Sequence, residues 1–168
     1  MKASLLILSL LATLGLAGCF TSDKSLITDD KAETSFAKIT FAEQGSPSDK
    51  TTLTRDGKAY VAKADDGSTV TMRFMPLGDD LYLAESSGEQ QGQVLRLYAV
   101  IRLDRTKNVA MTYKSTADKS DAGPGLLNCR RQDMDMVCIE DVDAYVALAK
   151  AAMASGAKPD TTYDVSFE

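Results

Sequence analysis

Apolar and polar side chains alternate along much of this chain. Val70, Met72 and Phe74 alternate with Thr69, Thr71 and Arg73, and Leu95, Leu97, Ala99, Ile101 and Leu103 alternate with Arg96, Tyr98, Val100 and Arg102. A period of two puts successive side chains on opposite faces of an extended backbone, so both stretches predict strands. Turn chemistry separates such stretches at short intervals: Asp56-Gly57 between Leu53 and Tyr60, Asp66-Gly67 between Val61 and Val70, and Gly78-Asp79-Asp80 before Leu81-Tyr82-Leu83. Gly and Asp tolerate the positive φ that tight hairpins need. Residues 37–42, 109–114, 126–130 and 134–139 are further strand candidates. About nine strands on short turns predict a mainly β fold, a β-rich α+β domain built on an antiparallel meander that is either a curled sheet or a barrel. The segment 93–104 is apolar at several positions on both faces, which places it centrally.

The alternation is interrupted once. Val142, Tyr145, Val146, Ala149 and Met153 fall on one helical stripe, with Asp141 placed to cap its start and Gly156 its end, and with Pro159 just beyond. Glu140, Asp141 and Asp143 put negative charge where the helix dipole favours it. The spacing predicts a helix over about residues 141–155. Tyr163, Val165 and Phe167 then alternate with Asp164 and Ser166, a final strand that closes the domain.

The N-terminus follows a different pattern. Of the 19 Lys and Arg residues, Lys2 alone precedes Asp23, and no acidic residue does, so without Lys2 the formal charge moves from −5 to −6. Lys2 is followed by a Leu-rich run that ends on small residues, the layout of a secretory signal over residues 1–18. The run ends in Leu16-Ala17-Gly18-Cys19, and these four residues resemble the bacterial lipobox. The resemblance implies cleavage before Cys19 and a diacylglyceryl group on its thiol. An uncleaved membrane helix would have just about the ~20 residues needed to span, and an ordinary signal peptide with an incidental Cys is the other alternative, but a spanning helix needs no small residues at its far end. Two or three acyl chains anchor firmly where one is marginal, at ~0.8 kcal/mol per buried CH₂. Phe20 stands where an Asp would resemble the inner-membrane retention signal of enteric bacteria. That analogy predicts a lipid-anchored protein of the bacterial cell envelope, on the outer membrane and facing the periplasm. Residues 20–35 hold only Leu26 and Ile27 as a large apolar pair, which predicts that 19–35 form a lipidated N-terminus and flexible tether to a single globular domain over 36–168.

With Cys19 assigned to lipid, Cys129 and Cys138 remain as an even pair in an exported chain, which predicts a disulfide. Asp133-Met134 falls midway, so a hairpin turn there would set the two cysteines opposite each other. The spacing is wider than the Cys-x-x-Cys of redox pairs.

The absence of His removes Ser-His-Asp and Cys-His activation and imidazole metal sites. A pI near 4.8 with no basic run argues against nucleic acid. Ser35-Lys38 and Ser155-Lys158 have the Ser-x-x-Lys spacing that penicillin-binding enzymes use, but no Ser-Asp-Asn or Lys-Thr-Gly accompanies them. Asp133, Asp135, Glu140, Asp141 and Asp143 crowd one region without the Gly and Glu positions of a calcium loop, and are read as turn and helix-start residues. No two carboxylates stand out as a glycosidase pair. No catalytic residue, metal or cofactor is therefore assigned. Arg96, Tyr98 and Arg102 project from one face of the central strand, a row able to bind an anionic or carbohydrate ligand, or to pair across strands.

The lipobox, the stretch from Val70 to Leu83 reading VTMRFMPLGDDLYL, and the Cys138 strand leading into a helix that ends near Pro159-Asp-Thr-Thr-Tyr163 resemble an uncharacterised family of small proteobacterial lipoproteins. That resemblance implies no activity. A meander followed by a helix and a final strand is also similar in outline to the lipocalins, although their N-terminal Gly-x-Trp is missing because the chain has no Trp. The expected function is that of a non-enzymatic binding or interaction module held to the membrane, with an envelope protein or small ligand as partner. A lipocalin-like carrier of an apolar ligand and a carboxylate-dependent envelope hydrolase are the alternatives.

Overall fold

The computed structural model describes residues 20–46, 50–63, 67–90, 92–113, 124–131 and 134–168, with Gln90, Arg131, Met134 and Asp135 described by their backbone alone. In chain order the elements are β1 (Phe20–Thr21), β2 (Lys38–Glu43), β3 (Lys50–Asp56), β4 (Ala59–Lys63), β5 (Thr69–Gly78) and β6 (Leu81–Gln90). There follow β7 (Gln93–Asp104), β8 (Val109–Tyr113), β9 (Leu126–Arg131), β10 (Met134–Ile139), α1 (Val142–Ala154) and β11 (Thr161–Phe167). The nine expected strands are β2 to β10. The helix and final strand stand where the sequence placed them, and β1 is an addition.

From β2 to β8 each strand pairs antiparallel with the next, and β11 pairs with both β8 and β2. The choice between curled sheet and barrel is thereby settled: eight strands close, and the C-terminal strand is the closing one. Closure removes the exposed edges that an open sheet would present. The β5–β6 hairpin shows the local cause. Gly78 pairs with Leu81 across a two-residue loop, and Asp79 and Asp80 take φ of 52° and 59°, the double positive φ of a turn whose twist matches its strands.

β7 explains why one strand is apolar on both faces. Leu95, Leu97, Ala99, Ile101 and Leu103 point into the barrel with Phe41, Phe74, Tyr60 and Tyr163. Tyr98 and Val100 point outward yet are equally buried, because a second core covers them. That outer core consists of Phe20, Ile27, Leu81, Leu83, Val137, Ile139, Tyr145 and Ala149. Within it α1 lies against the wall: Tyr145 stacks on Phe20 at 4.7 Å and donates its hydroxyl to Tyr98 O at 3.3 Å. Asp141 caps the helix, accepting from Asp143 N at 2.9 Å and Ala144 N at 3.4 Å. Gly125, at φ +85°, accepts from Glu140 N and Asp141 N, and a Cβ there would lie 2.5 Å from that of Asp141. Close approach of the β9 strand to the helix start therefore requires glycine.

The expected tether is corrected in its described part. Phe20 pairs with Val137 and Thr21 with both Cys138 and Leu97, so the chain enters the sheet at residue 20. Ile27 is fully buried and Glu33 N donates to Phe74 O at 2.7 Å. Local composition undercounts such a segment, because its partners are strands about 40 to 120 residues away. Burying Ile27 alone contributes about 1.5–3 kcal/mol. Cys19 and the lipobox-like residues Leu16, Ala17 and Gly18 lie outside the described residues.

Candidate functional site

Three places could take a partner: the barrel interior, the outer wall of β5–β7, and the hairpin β9–β10. In the interior, Phe41, Phe74 and Tyr163 fill the middle, with Phe41 6.3 Å from Phe74 and 6.0 Å edge-on to Tyr163. One end is plugged by Phe36 on Phe167, ring centroids 4.4 Å apart, with the Arg105 guanidinium 5.2 Å over Phe36 and donating to Tyr82 Oη at 2.6 Å. The cavity beneath has a volume of about 30 Å³ and is lined by Ile39, Phe41, Phe74, Ile101 and Leu103 among others. That is room for about one or two waters, whereas small-molecule sites are typically about 300–1,000 Å³.

On the outer wall the predicted row is divided. Arg102 is exposed and lies 6.0 Å over the Tyr113 ring. Arg96 and Tyr98 do bind, but what they bind is this chain. Arg96 donates to Asp23 O at 3.0 Å and sits 3.9 Å from the Glu85 carboxylate. Glu85 is 3% exposed, and its Oε2 accepts from Ser25 Oγ at 2.7 Å, Leu26 N at 3.2 Å and Tyr98 Oη at 2.8 Å. The one hydroxyl proton of Tyr98 can go to Glu85 or to Lys24 O at 3.1 Å, not both. Burial first, and the neighbouring Glu85 second, push the Tyr98 phenol above its ordinary value. Below this cluster Arg73 donates to Ile27 O at 3.1 Å and to Asp29 at 2.8 Å. Of the expected row, Arg96 and Tyr98 are thus occupied by residues 23–26 of this chain, while Arg102 stays exposed. Sequence reasoning missed Glu85 and Ser25. The available signal was Glu85 continuing the outward apolar positions Leu81 and Leu83 of β6.

At the hairpin, β10 pairs with β9 and, in parallel, with β1. Cys129 and Cys138 form a disulfide with Cα atoms 5.8 Å apart. Cys138 is paired with Leu127 and Cys129 with Met136, so the bridge runs diagonally on one face and not straight across. An open groove of about 480 Å³ runs beside it, lined by Ser22, Asp23, Lys24, Leu127, Asn128, Cys129, Cys138, Ile139 and Glu140. Leu127, half exposed, is a large apolar side chain on its rim.

The other candidates are dispersed. Ser35 donates to Glu33 while Lys38 pairs with Glu168 at 2.6 Å. Ser155 is the helix C-cap, bonded to Ala152 O at 2.7 Å. Asp141 and Asp143 serve the helix start, whereas Asp133 lies outside the described residues, as does Asp66 of the expected Asp66-Gly67 turn. Among the described residues no three His, Cys, Asp or Glu converge as a metal site. None of the described helices is long and apolar enough to cross a membrane. Comparison with protein-family models, with curated proteins and with solved structures found no match.

Proposed function

We propose that this chain is a lipid-anchored protein of the bacterial cell envelope, in which Cys19 carries the lipid and the barrel serves as a non-enzymatic binding module through its outer surface. The observation that carries the second half is the contrast in room. The cavity under Phe36 and Phe167 has a volume of about 30 Å³, and a groove of about 480 Å³ lies outside the barrel, at the disulfide hairpin. The eight-stranded closed barrel with a helix on its wall is compatible with lipocalin-like binding, but an apolar cargo would have to displace Phe36 and Phe167 from its mouth. Leu16-Ala17-Gly18-Cys19 supports the anchor, and outer-membrane attachment facing the periplasm follows from the Phe20 analogy.

The anchor is tested by expressing the chain and its Cys19→Ser variant in a bacterial host with labelled palmitate. The reading expects label in the wild type alone, and uncleaved precursor in the variant. Label of equal strength in both would contradict it.

A further inference from the structure

We propose that residues 22–33 are a retractable strap, docked on the β5–β7 wall by a polar clasp and able to leave it while the barrel stays closed. The strap is built unlike the rest of the fold. Between Asp23 and Ser35 the single fully buried side chain is Ile27, and Asp23, Lys24, Thr28, Asp29, Asp30 and Lys31 are exposed. Leu26 and Ala32 pack beside Ile27 as part-buried side chains, and the strap's hydrogen bonds to the wall are Ser25 and Leu26 N on Glu85, Asp23 O on Arg96, and Ile27 O with Asp29 on Arg73.

A buried carboxylate is a poor choice for a permanent joint, since an apolar side chain of similar volume would hold as well or better. It suits a joint that opens. When the strap leaves, Glu85, Arg96 and Tyr98 become solvated polar groups, and of the segment's apolar side chains fully buried Ile27 and part-buried Leu26 and Ala32 are surrendered to water. Interfaces meant to separate are more polar than permanent ones for this reason. Release of residues 22–33 leaves β1 paired with β7 and β10 and frees the strap as a loop between β1 and the barrel. The Thr-, Ser-, Asp- and Lys-rich composition of the segment then serves the released state, as the clasp serves the docked one.

Amide hydrogen exchange on the full chain, followed across sub-denaturing urea, tests this independently of any lipid. The Leu26 and Glu33 amides report the strap, and Phe41 and Val100 report the barrel. The proposal expects Leu26 and Glu33 to exchange faster than the barrel amides, with a much shallower urea dependence. In Glu85→Gln, which keeps the shape of the side chain but not its charge, Glu33 should also speed up, by about tenfold, although its own acceptor is Phe74 O, while Phe41 and Val100 stay unchanged. Exchange of Leu26 and Glu33 with the same urea dependence as Phe41 would overturn it, as would a Glu85→Gln effect confined to Leu26. Failure of the anchor would show instead as unlabelled Cys19 and would leave this result untouched.

Discussion

The barrel interior and the covered outer wall are two cores built on the same strands, and they hold together by different means. Inside, β2 to β8 and β11 supply a closed circuit of strand pairings and a filling of large apolar side chains, so any opening has to break a strand pairing and expose that filling. Outside, Tyr98, Val100 and Leu83 are covered partly by α1, which packs through Tyr145 and Ala149, and partly by a strap held by Ile27, part-buried Leu26 and Ala32, and a few polar bonds. Equal burial therefore does not mean equal permanence. Tyr60 and Ile27 are both fully buried, yet one sits in a closed circuit of strands and the other on an end segment.

The difference is sharpest under truncation. Leu53→Ala, inside the barrel, should cost about 2–5 kcal/mol in the global unfolding transition, read by urea denaturation. Ile27→Ala should cost less than half as much in the same transition, because the strap can fray while the barrel persists. Equal losses would make the strap an integral part of the barrel.

Reduction of Cys129–Cys138 should follow at roughly 2–3 kcal/mol, since the bridge closes a short loop in the unfolded chain. For a domain of this size that corresponds to about 2–4 °C of melting temperature per kcal/mol. The pair staples the hairpin that carries β1, so its loss should loosen the strap end before the barrel. Two alkylatable thiols in protein isolated under oxidising conditions would remove the bridge from the account. Next in size is Asp141→Ala, where loss of the helix cap should cost about 1 kcal/mol and show as earlier loss of helical circular dichroism.

The pH response separates the two cores further. The phenols of Tyr98 and Tyr145 in the outer core and Tyr163 in the inner one are pushed above the ordinary tyrosine value, in each case mainly by burial. Groups whose folded-state value is raised contribute stability that is complete below the unfolded value of about 10 and is lost as pH rises through and beyond it. Alkaline titration read at the tyrosinate absorbance should therefore show these three ionising late and together with unfolding. The smallest expected effect is acidic. Asp104, which accepts from Thr106 and Lys107 in the β7–β8 turn, is held down to about 2 by those bonds. What it contributes is present above the ordinary carboxylate value and disappears as pH falls through about 2, visible in its carboxyl NMR titration.

How much of this was legible in the sequence follows the same divide. Period-two alternation in β5 and β7, Gly78-Asp79-Asp80 and the stripe from Val142 to Met153 are local signals, and the strands, a hairpin turn and the helix followed from them. Barrel closure depends on β11 pairing with β2 some 120 residues away, which local periodicity does not encode. The strap was misread for a related reason. Its residues look solvated one by one, and Glu85, Arg96 and Tyr98 reveal their use only when the wall brings them beside Ser25 and Leu26. The disulfide partners were legible from the even pair left once Cys19 was set aside, and their diagonal placement was not, because it depends on a register set at the hairpin turn.

The central claim is an anchored barrel whose inside is filled and whose binding surface is outside, and mass spectrometry of the intact protein under non-denaturing conditions tests it most directly. Taken from envelope membranes, the protein should give the mass of a chain beginning at Cys19 with covalent acyl groups and no further small molecule retained. An unmodified N-terminus would contradict the anchor, and a non-covalent apolar ligand that stays with the barrel would contradict the filled interior.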